Sequence, residues 1–524
     1  MQKILVIRFS SLGDVILTSP AILNLKLSFP DSHLVFLTKE RFLPVVEMMD
    51  GVDEIVCLPD NAGTTGYLRI LRQLDRSHFS SIVDLHGNLR SWLARRMLTA
   101  DRSALYQKRS VERRLIARRK NKRIPQTWPH TIDLYNSCIN SLGADVYCRR
   151  PLLHPPLETD QGSSGEFHGP PSVLIAPGAA HPNKQWEIEK FAEVAHHLYD
   201  HLGYRVFWAV ASESDLVPGL QDTFPEKQFV HLVNEPLHRL ASILFECRLA
   251  VTNDSGLMHL SSAVGTPVIA VFGPTHQALG FAPKGLFDRV VQVDEFCRPC
   301  SIHGQVPCWR EERYCFTRIG PNMVYETAAE LLGSGINSVK ALFVDRDGTL
   351  IVDKHFLSDP EQVELIPGSV EALRMARQNG FQIVVISNQS GVARGYMTVE
   401  QVESVNARLL ELLGQAGVDI DGVYFCPYFR EGTIPQYAVD SEYRKPAPGM
   451  AEMAARDLGI DLRRSIVIGD KIDDVSLGRV IGAISLMVRT GHGEKEAETL
   501  LAISPAWEKL VFENLLSAVK HVVS

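Results

Sequence analysis

The sequence predicts an α/β protein whose parallel sheets are repeated in three successive domains. Three observations carry this prediction. Short apolar runs alternate with longer helical stretches along the whole chain, the pattern of strand–helix–strand units. Several of these runs end in polar, glycine-containing clusters, the place where a parallel sheet presents side chains to a ligand. At 524 residues the chain is also too long for one core, so domains of roughly 150 to 180 residues are expected.

The elements follow in order. Residues 1–155 open with the apolar strand Ile4–Ile7, then Arg8-Phe-Ser-Ser-Leu-Gly-Asp14, a helix from about Val15 to Phe29, and strands at Leu34–Leu37 and Ser80–Asp84. Residues 156–171, rich in Gly, Ser and Pro and without apolar periodicity, read as a linker. The second domain, 172–333, carries strands at Val173–Ala176, Arg205–Val210, Leu249–Thr252 and Pro267–Phe272. A short linker at 334–339 leads to the third domain, 340–524, with an apolar run from Ala341 and strands at Phe381–Ile386 and Ser465–Ile468.

Composition excludes several classes. A hydrophobic content of 45 % supports folded domains, and a net charge of −7 is mild for this length. Nine cysteines are too few for a disulfide-framed secreted chain of this size. The run after Met1 is too short for a signal-peptide core, and none approaches the roughly 18 apolar residues of a membrane span. The expectation is a cytoplasmic, soluble protein.

The third domain holds the most specific motif. The run from Ala341 ends in Asp345-Arg-Asp-Gly-Thr349. Residues two apart on a strand point the same way, so Asp345 and Asp347 can meet one ligand, and Gly348 admits a close backbone approach. Such a pair suits a phosphate with Mg2+. The later strands end in Ser387-Asn-Gln-Ser-Gly391 and Gly469-Asp-Lys-Ile-Asp-Asp474, with Lys445 in Arg444-Lys-Pro-Ala-Pro448 between them.

These four clusters together resemble the haloacid dehalogenase (HAD) superfamily of phosphatases. The resemblance implies that Asp345 is the nucleophile, that Asp347 protonates the leaving oxygen and then activates water, and that Ser387 binds the phosphoryl oxygens. Lys445 would neutralise their charge; Asp345, Asp470 and the carbonyl of Asp347 would hold Mg2+, with Asp474 behind them. About 40 residues separate Asp345 from Ser387, leaving no room for a large cap domain, so the loop Cys426–Tyr443 is the local candidate lid. Asn388-Gln-Ser-Gly-Val-Ala-Arg-Gly395 and Arg444-Lys-Pro446 resemble the heptose 1,7-bisphosphate and histidinol-phosphate phosphatase branch. That places Asn388 at the substrate and lets Arg394 and Arg444 hold a second phosphate. The branch often carries a zinc loop, Cys-x-His then Cys-x-Cys, before the Arg-Lys pair. Here those places read Cys426-Pro-Tyr428 and Ser441-Glu-Tyr443, so one ligand of the four survives and no zinc is expected in that loop.

Residues 1 to about 333 are similar to glycosyltransferase family 9, the ADP-heptose:lipopolysaccharide heptosyltransferases. The similarity rests on Ser10-Ser-Leu-Gly-Asp14, Lys184 before Trp186, Asp254-Ser-Gly256 with His259, and Phe272-Gly-Pro-Thr275. It implies the GT-B fold, two Rossmann-like domains with the acceptor on the first and the nucleotide sugar on the second. Asp14 would be the base for the acceptor hydroxyl. Ser10, Ser11 and Gly13 would line an anion site at a helix N-terminus. Lys184 would meet the ADP phosphates, Glu213 the ribose, and Asp254, Ser255, Gly256 and His259 the diphosphate. Taken singly, Asp14 and Asp254 also suit helix N-capping. His86 and Arg90 are further candidates for the acceptor or the sugar.

Two stretches stand outside these motifs. The segment 90–123 holds thirteen Lys and Arg, among them Arg90, Arg95, Arg96, Arg102, Arg113 and Arg123, against Asp101 and Glu112. It reads as a solvated face or as a surface for an anionic glycolipid at the inner membrane. Nucleic acid is not expected, because stacking aromatics are sparse there. Cys297, Cys300, Cys308 and Cys315 gather in one loop, as a structural Zn2+ site, free thiols or a redox pair. Together the resemblances imply a bifunctional enzyme of lipopolysaccharide core heptose metabolism, with ADP-heptose, a sugar phosphate and a glycolipid acceptor as ligands. Alternatives are another phosphomonoester for the third domain, such as histidinol phosphate or a nucleic-acid 3′-phosphate, or one half that binds without catalysis.

Overall fold

Apolar runs buried on both faces build three separate parallel sheets. The first contains β1 (Lys3–Ile7), β2 (His33–Lys39), β3 (Glu54–Leu58), β4 (Phe79–Asp84) and β5 (Ala100–Leu105), in the order β3-β2-β1-β4-β5. The second contains β6 (Ser172–Ala176), β7 (Arg205–Val210), β8 (Phe229–Val233), β9 (Leu249–Asn253), β10 (Val268–Val271) and β11 (Arg289–Val291), in the order β11-β10-β9-β6-β7-β8. The third contains β12 (Lys340–Val344), β13 (Phe381–Asn388), β14 (Gly422–Cys426), β15 (Ile466–Gly469), β16 (Ile484–Val488) and β17 (Val511–Phe512), in the order β14-β13-β12-β15-β16-β17. Strands such as Leu5–Ile7 and Ala341–Val344 are buried along their length, as a sheet covered by helices on both faces requires.

The computed structural model describes residues 2–118, 128–156 and 170–523. The chain divides into two units, Met1–Gly333, which holds the first two sheets, and Ser334–Ser524, which holds the third. Most of the linker expected at 156–171, and Arg119, Lys120, Lys122 and Arg123 of the basic segment, lie outside the described residues. Among the described residues no helix is long and apolar enough to cross a membrane.

In each sheet the first strand lies between two strands that run off in opposite directions of sequence: β1 between β2 and β4, β6 between β7 and β9, β12 between β13 and β15. Loops leaving such a switch point diverge and open a crevice at the carboxyl ends of the strands. The residues of interest stand there. In the second unit a single helix of note, Ser369–Gln378, lies between β12 and β13, so that connection holds no cap domain.

Two expectations are corrected. The helix expected from about Val15 to Phe29 is two helices, Leu12–Ile16 and Ser19–Ser28. Pro20 stands in the first turn of the second and brings no N–H to a continuous ladder, while Thr18 and Ser19 hydroxyls donate to the carbonyls of Val15 and Ile16 at 2.6 and 2.8 Å. The basic segment is not a uniform solvated face. It contains β5, and Arg113 is buried, its guanidinium 4.5 Å from the Phe281 ring and donating to Thr131 Oγ1 at 3.2 Å.

Gly13 and Gly256 let the two halves of the first unit meet. The helices Leu12–Ile16 and Gly256–Ala263 approach so closely that a Cβ on Gly13 would collide with the His259 ring, and one on Gly256 would lie 2.7 Å from Leu12 Cδ2. Gly13→Ala therefore forces overpacking worth about 1–3 kcal/mol. In scanning calorimetry the transition of the first unit is expected to fall, with that of the second unchanged; an unaltered first transition contradicts the close approach.

Candidate active sites

In the second unit, Asp345 continues β12 and its N–H bonds the Ile468 carbonyl of β15 at 3.0 Å, which sets its side chain at the switch point. Lys445 Nζ lies 2.7 Å from Asp345 Oδ1, 2.6 Å from Asp474 Oδ1 and 3.0 Å from the Ile386 carbonyl. Asp345, Asp470 and Asp474 bring three buried carboxylates within 4.8 Å of one another. Burial pushes the Asp345 carboxyl up against the pull of Lys445. Burial would lower the Lys445 ammonium, yet Asp345 and Asp474 hold it above its ordinary value. Asp470, buried beside Asp345 and further from the ammonium, is pushed up to about 8.

Asp470 Oδ2 accepts the His492 backbone N–H at 2.8 Å, whereas its Oδ1 is buried with no hydrogen-bond partner. A Cβ at position 348 would collide with the Asp470 carboxylate, so the space in front of it exists because residue 348 is glycine. An orphaned carboxylate oxygen in an all-oxygen set fits Mg2+. The carboxylate of Asp347 is not part of that set. Arg346 Nη2 holds it at 2.9 Å and Gln389 Nε2 at 2.8 Å, with Ser387 Oγ 3.5 Å away.

Asn388, expected at the substrate, has another task. Its amide bonds the backbone of Lys445 twice, through Oδ1 at 3.0 Å and Nδ2 at 3.1 Å, and so positions the ammonium. Arg394 and Arg444 place their guanidiniums 4.3 and 4.8 Å from the Phe429 ring. Arg394 Nε is buried without a partner. The loop Cys426–Tyr443 is tied to the helix Ser390–Ala393, where Thr433 and Ile434 N–H groups bond the Ala393 carbonyl at 2.8 and 2.9 Å, and burial pushes the Cys426 thiol up.

In the first unit Asp14 is held in an ion pair. Arg8 Nη2 lies 2.7 Å from its Oδ2, and Ser11 donates to the same oxygen through N–H at 3.0 Å and Oγ at 2.8 Å. Burial alone would raise its carboxyl, but Arg8 and Ser11 hold it down to about 2. Arg8 is itself fixed by the Leu85 carbonyl at 2.5 Å. His86 is buried, its ring 5.5 Å from that of Phe9, whereas Arg90 is exposed. Across the cleft, Lys184 Nζ lies 2.7 Å from Asp254 Oδ2, which also accepts from Thr275 Oγ1 at 2.8 Å. Ser255 caps the helix Gly256–Ala263, its Oγ buried without a partner, and the same holds for His259 Nδ1. Burial lowers His259 to about 4. Ser10 directly precedes Ser11, the N-cap of the helix Leu12–Ile16, and Glu213 is exposed on the 3-10 turn Glu213–Asp215 after β7.

Among the described residues, the cysteine loop shows no preformed three-sulfur cluster. Cys297, Cys300, Cys308 and Cys315 line one cavity, but no three of their sulfurs lie within 4.8 Å of one another. Burial pushes the Cys315 thiol up to about 12. The loop is tied instead by buried Arg298, which donates to the Gly273 carbonyl at 2.5 Å, to Thr275 at 2.8 Å and to Gln292 Oε1 at 2.9 Å. Arg8, Arg298, Arg346 and Gln389 were not singled out by sequence reasoning. Arg8, buried beside a motif at the end of an apolar run, and Arg346, between the two aspartates of its motif, carried a signal in the sequence; Arg298 carried none.

A parallel-sheet unit with an aspartate, a lysine and a three-carboxylate cluster at its switch point defines a HAD-type phosphatase class, and the two-sheet unit before it has the architecture of the GT-B fold. Comparison with known proteins gives the same division. The family model "Glycosyltransferase family 9 (heptosyltransferase)" matches residues 67–305, and a HAD-hydrolase-like model matches residues 442–518. The D-glycero-β-D-manno-heptose-1,7-bisphosphate 7-phosphatase of Yersinia pestis is 40 % identical over 171 residues, 31 % of this chain and 90 % of that protein. The D-glycero-D-manno-heptose-1,7-bisphosphate 7-phosphatase of Chlorobaculum tepidum is 42 % identical over 166 residues, 30 % of this chain and 83 % of its own. The crystal structure of a family 9 glycosyltransferase from Veillonella parvula covers 63 % of this chain and 97 % of its own at 22 % identity, with a TM-score of 0.51, which shows the fold. The chain thus belongs, through its second unit, to the heptose-bisphosphate phosphatase family of HAD hydrolases, fused to a first unit that the glycosyltransferase family 9 model matches.

Because the proton on Asp470 must leave before a cation can bind, a pKa near 8 means that Mg2+ competes with a proton below that pH. Affinity is expected to rise by up to about tenfold per pH unit between 6 and 8 and to level off above it. Calorimetric Mg2+ titrations at several pH values check this; a flat profile contradicts the protonated carboxyl.

Proposed function

We propose that the chain is a bifunctional enzyme. Its first unit transfers heptose from ADP-heptose to a glycolipid acceptor. Its second removes the 7-phosphate of D-glycero-D-manno-heptose 1,7-bisphosphate. The observation that carries the phosphatase half is the buried Lys445 touching both Asp345 and Asp474 beside an Asp470 oxygen without a partner. That is an electrophile-binding site with its nucleophile in place. Asp345 attacks phosphorus to give an aspartyl-phosphate. Lys445 and Ser387 hold the phosphoryl oxygens while Asp347, oriented by Arg346 and Gln389, delivers a proton to the departing sugar oxygen. Asp347 then takes a proton from the water that cleaves the acyl phosphate. Asp345, Asp470 and the Asp347 carbonyl would hold Mg2+, which supplies charge neutralisation on the phosphate.

Arg394 and Arg444, one before and one after the loop Cys426–Tyr443 in sequence and both beside Phe429, support a second anionic group on the substrate. The relatives' printed substrate, a sugar bisphosphate, has one. In the transferase half, Asp14 is the ionised group in reach of an acceptor hydroxyl. The Arg8 pair keeps it ionised at every working pH and orients it. Lys184 and the free Ser255 hydroxyl receive the diphosphate at the helix Gly256–Ala263. The glycolipid surface is supported by exposed Leu89, Trp92, Leu105, Val111 and Leu115 interspersed with exposed Arg90, Arg96 and Arg114, an apolar and cationic mixture suited to an anionic membrane.

Asp345→Asn is expected to lower release of phosphate from the bisphosphate by roughly a thousandfold or more while leaving acceptor-dependent ADP release intact. Asp14→Ala should do the reverse, lowering ADP release by roughly a hundredfold or more. Assaying both activities in both full-length variants tests this; hydrolysis that persists in Asp345→Asn, or ADP release that persists in Asp14→Ala, removes that residue from its mechanism. Replacing Arg394 and Arg444 by Ala removes charge-assisted bonds worth about 1.5–3 kcal/mol each. KM for the bisphosphate should rise at least about tenfold, with little change for a sugar 7-monophosphate. Equal effects on the two substrates would contradict a second-phosphate role.

A further inference from the structure

Beside the phosphatase pocket stands a group of side chains that neither reaction uses. Asp353, His355 and His492 bring one carboxylate oxygen and two imidazole nitrogens within 4.8 Å of one another. They come from two segments, the loop after Asp347 and the turn after β16. One carboxylate aligns both histidines: Asp353 Oδ1 accepts the His355 backbone N–H at 2.9 Å, and its Oδ2 lies 3.0 Å from His492 Nε2. The two rings stand 6.2 Å apart and inclined at 57°, so they converge on the carboxylate without stacking.

Both segments are held in place by contacts that do not involve the imidazoles. His355 and Phe356 adopt left-handed backbone with φ of 51° and 55°, uncommon for residues that carry a Cβ. Phe356 is kept there by the Tyr396 ring at 4.8 Å and by Gly391, where an added Cβ would come within 2.8 Å of it. On the other side, the His492 N–H donates to Asp470 and Gly491 packs against Gly348. The donor set is therefore presented by a preformed frame rather than assembled from loose side chains.

Two imidazoles and a carboxylate at an exposed rim, with room for water, form the donor set that borderline-soft divalent ions prefer, three protein ligands and open remaining positions. The neighbouring set of buried carboxylates is all oxygen and suits a hard ion. We propose that Asp353, His355 and His492 form a binding site for a divalent transition-metal ion of the Zn2+ class at the rim of the phosphatase pocket. The bound ion clamps the loop 353–357 to the turn at 491–492, fixing the loop that carries Phe356 over the segment 391–396. The proposal does not depend on which phosphate ester the pocket hydrolyses.

Co2+ titrated into the full-length protein under excess Mg2+ tests it, because Mg2+ occupies the all-oxygen set and Co2+ reports its ligands by colour. Nitrogen and oxygen ligands give weak visible bands, whereas thiolates give intense sulfur-to-metal charge transfer, so any binding at the cysteine loop is read separately. The wild type is expected to bind one equivalent with weak bands and to melt at a higher temperature with Co2+ than without. In His355→Ala and in His492→Ala that equivalent should weaken roughly tenfold or more and the rise in melting temperature should vanish. Both histidines are exposed, so the variants should melt as the wild type does in metal-free buffer. A wild type without the weak-band equivalent, or variants that bind Co2+ as tightly as the wild type, overturns the proposal.

Discussion

One buried ammonium faces three buried carboxylates, and the second unit is arranged around that imbalance. Lys445 reaches Asp345 and Asp474 but not Asp470, so one carboxyl is left with a burial cost of several kcal/mol if it ionises alone. The surrounding residues maintain this state rather than relieve it. Asn388 pins the backbone of Lys445, Gly348 leaves the space before Asp470 open, and Arg346 with Gln389 draws the Asp347 carboxylate out of the cluster. A site with an excess of negative charge and one free oxygen is prepared for a divalent cation and, with it, a phosphate.

The first unit solves a related problem with internal ion pairs. Asp14 is paired with Arg8, and Asp254 with Lys184. Each acid of the cleft is thereby neutralised by a cation from its own half of the unit. Arg298 ties Gly273 and Thr275 in place, and Thr275 in turn bonds Asp254. The order of the cysteine loop therefore bears on the ion pair of the cleft through hydrogen bonds.

Much of the fold was legible in the chain because buried parallel strands leave continuous apolar runs, as in Ile4–Ile7 and Phe381–Ile386. β5 was not, since its sequence, Ala-Asp-Arg-Ser-Ala-Leu, is that of a sheet edge with exposed polar residues. The break at Thr18 was missed although Pro20 signals it. In the phosphatase site the aspartates, Ser387 and Lys445 could be read as clusters at strand ends. The tasks of Asn388, Arg346 and Gln389 could not, because each depends on a neighbour distant in sequence or on the direction its side chain takes.

By itself, the sequence determined the strand–helix alternation, the strand ends at which chemistry stands, and the loss of three of the four expected zinc ligands before Arg444. These are local properties: apolar period, turn chemistry and residue type. The tertiary structure alone decided which carboxylate completes the buried cluster, which arginines are structural, that four neighbouring cysteines fail to converge, and that Asp353, His355 and His492 meet. The reason is geometric. Whether side chains from separate strands come within bonding distance depends on sheet order and on close approaches at Gly13, Gly256 and Gly348, and neither is written in any one stretch of the chain.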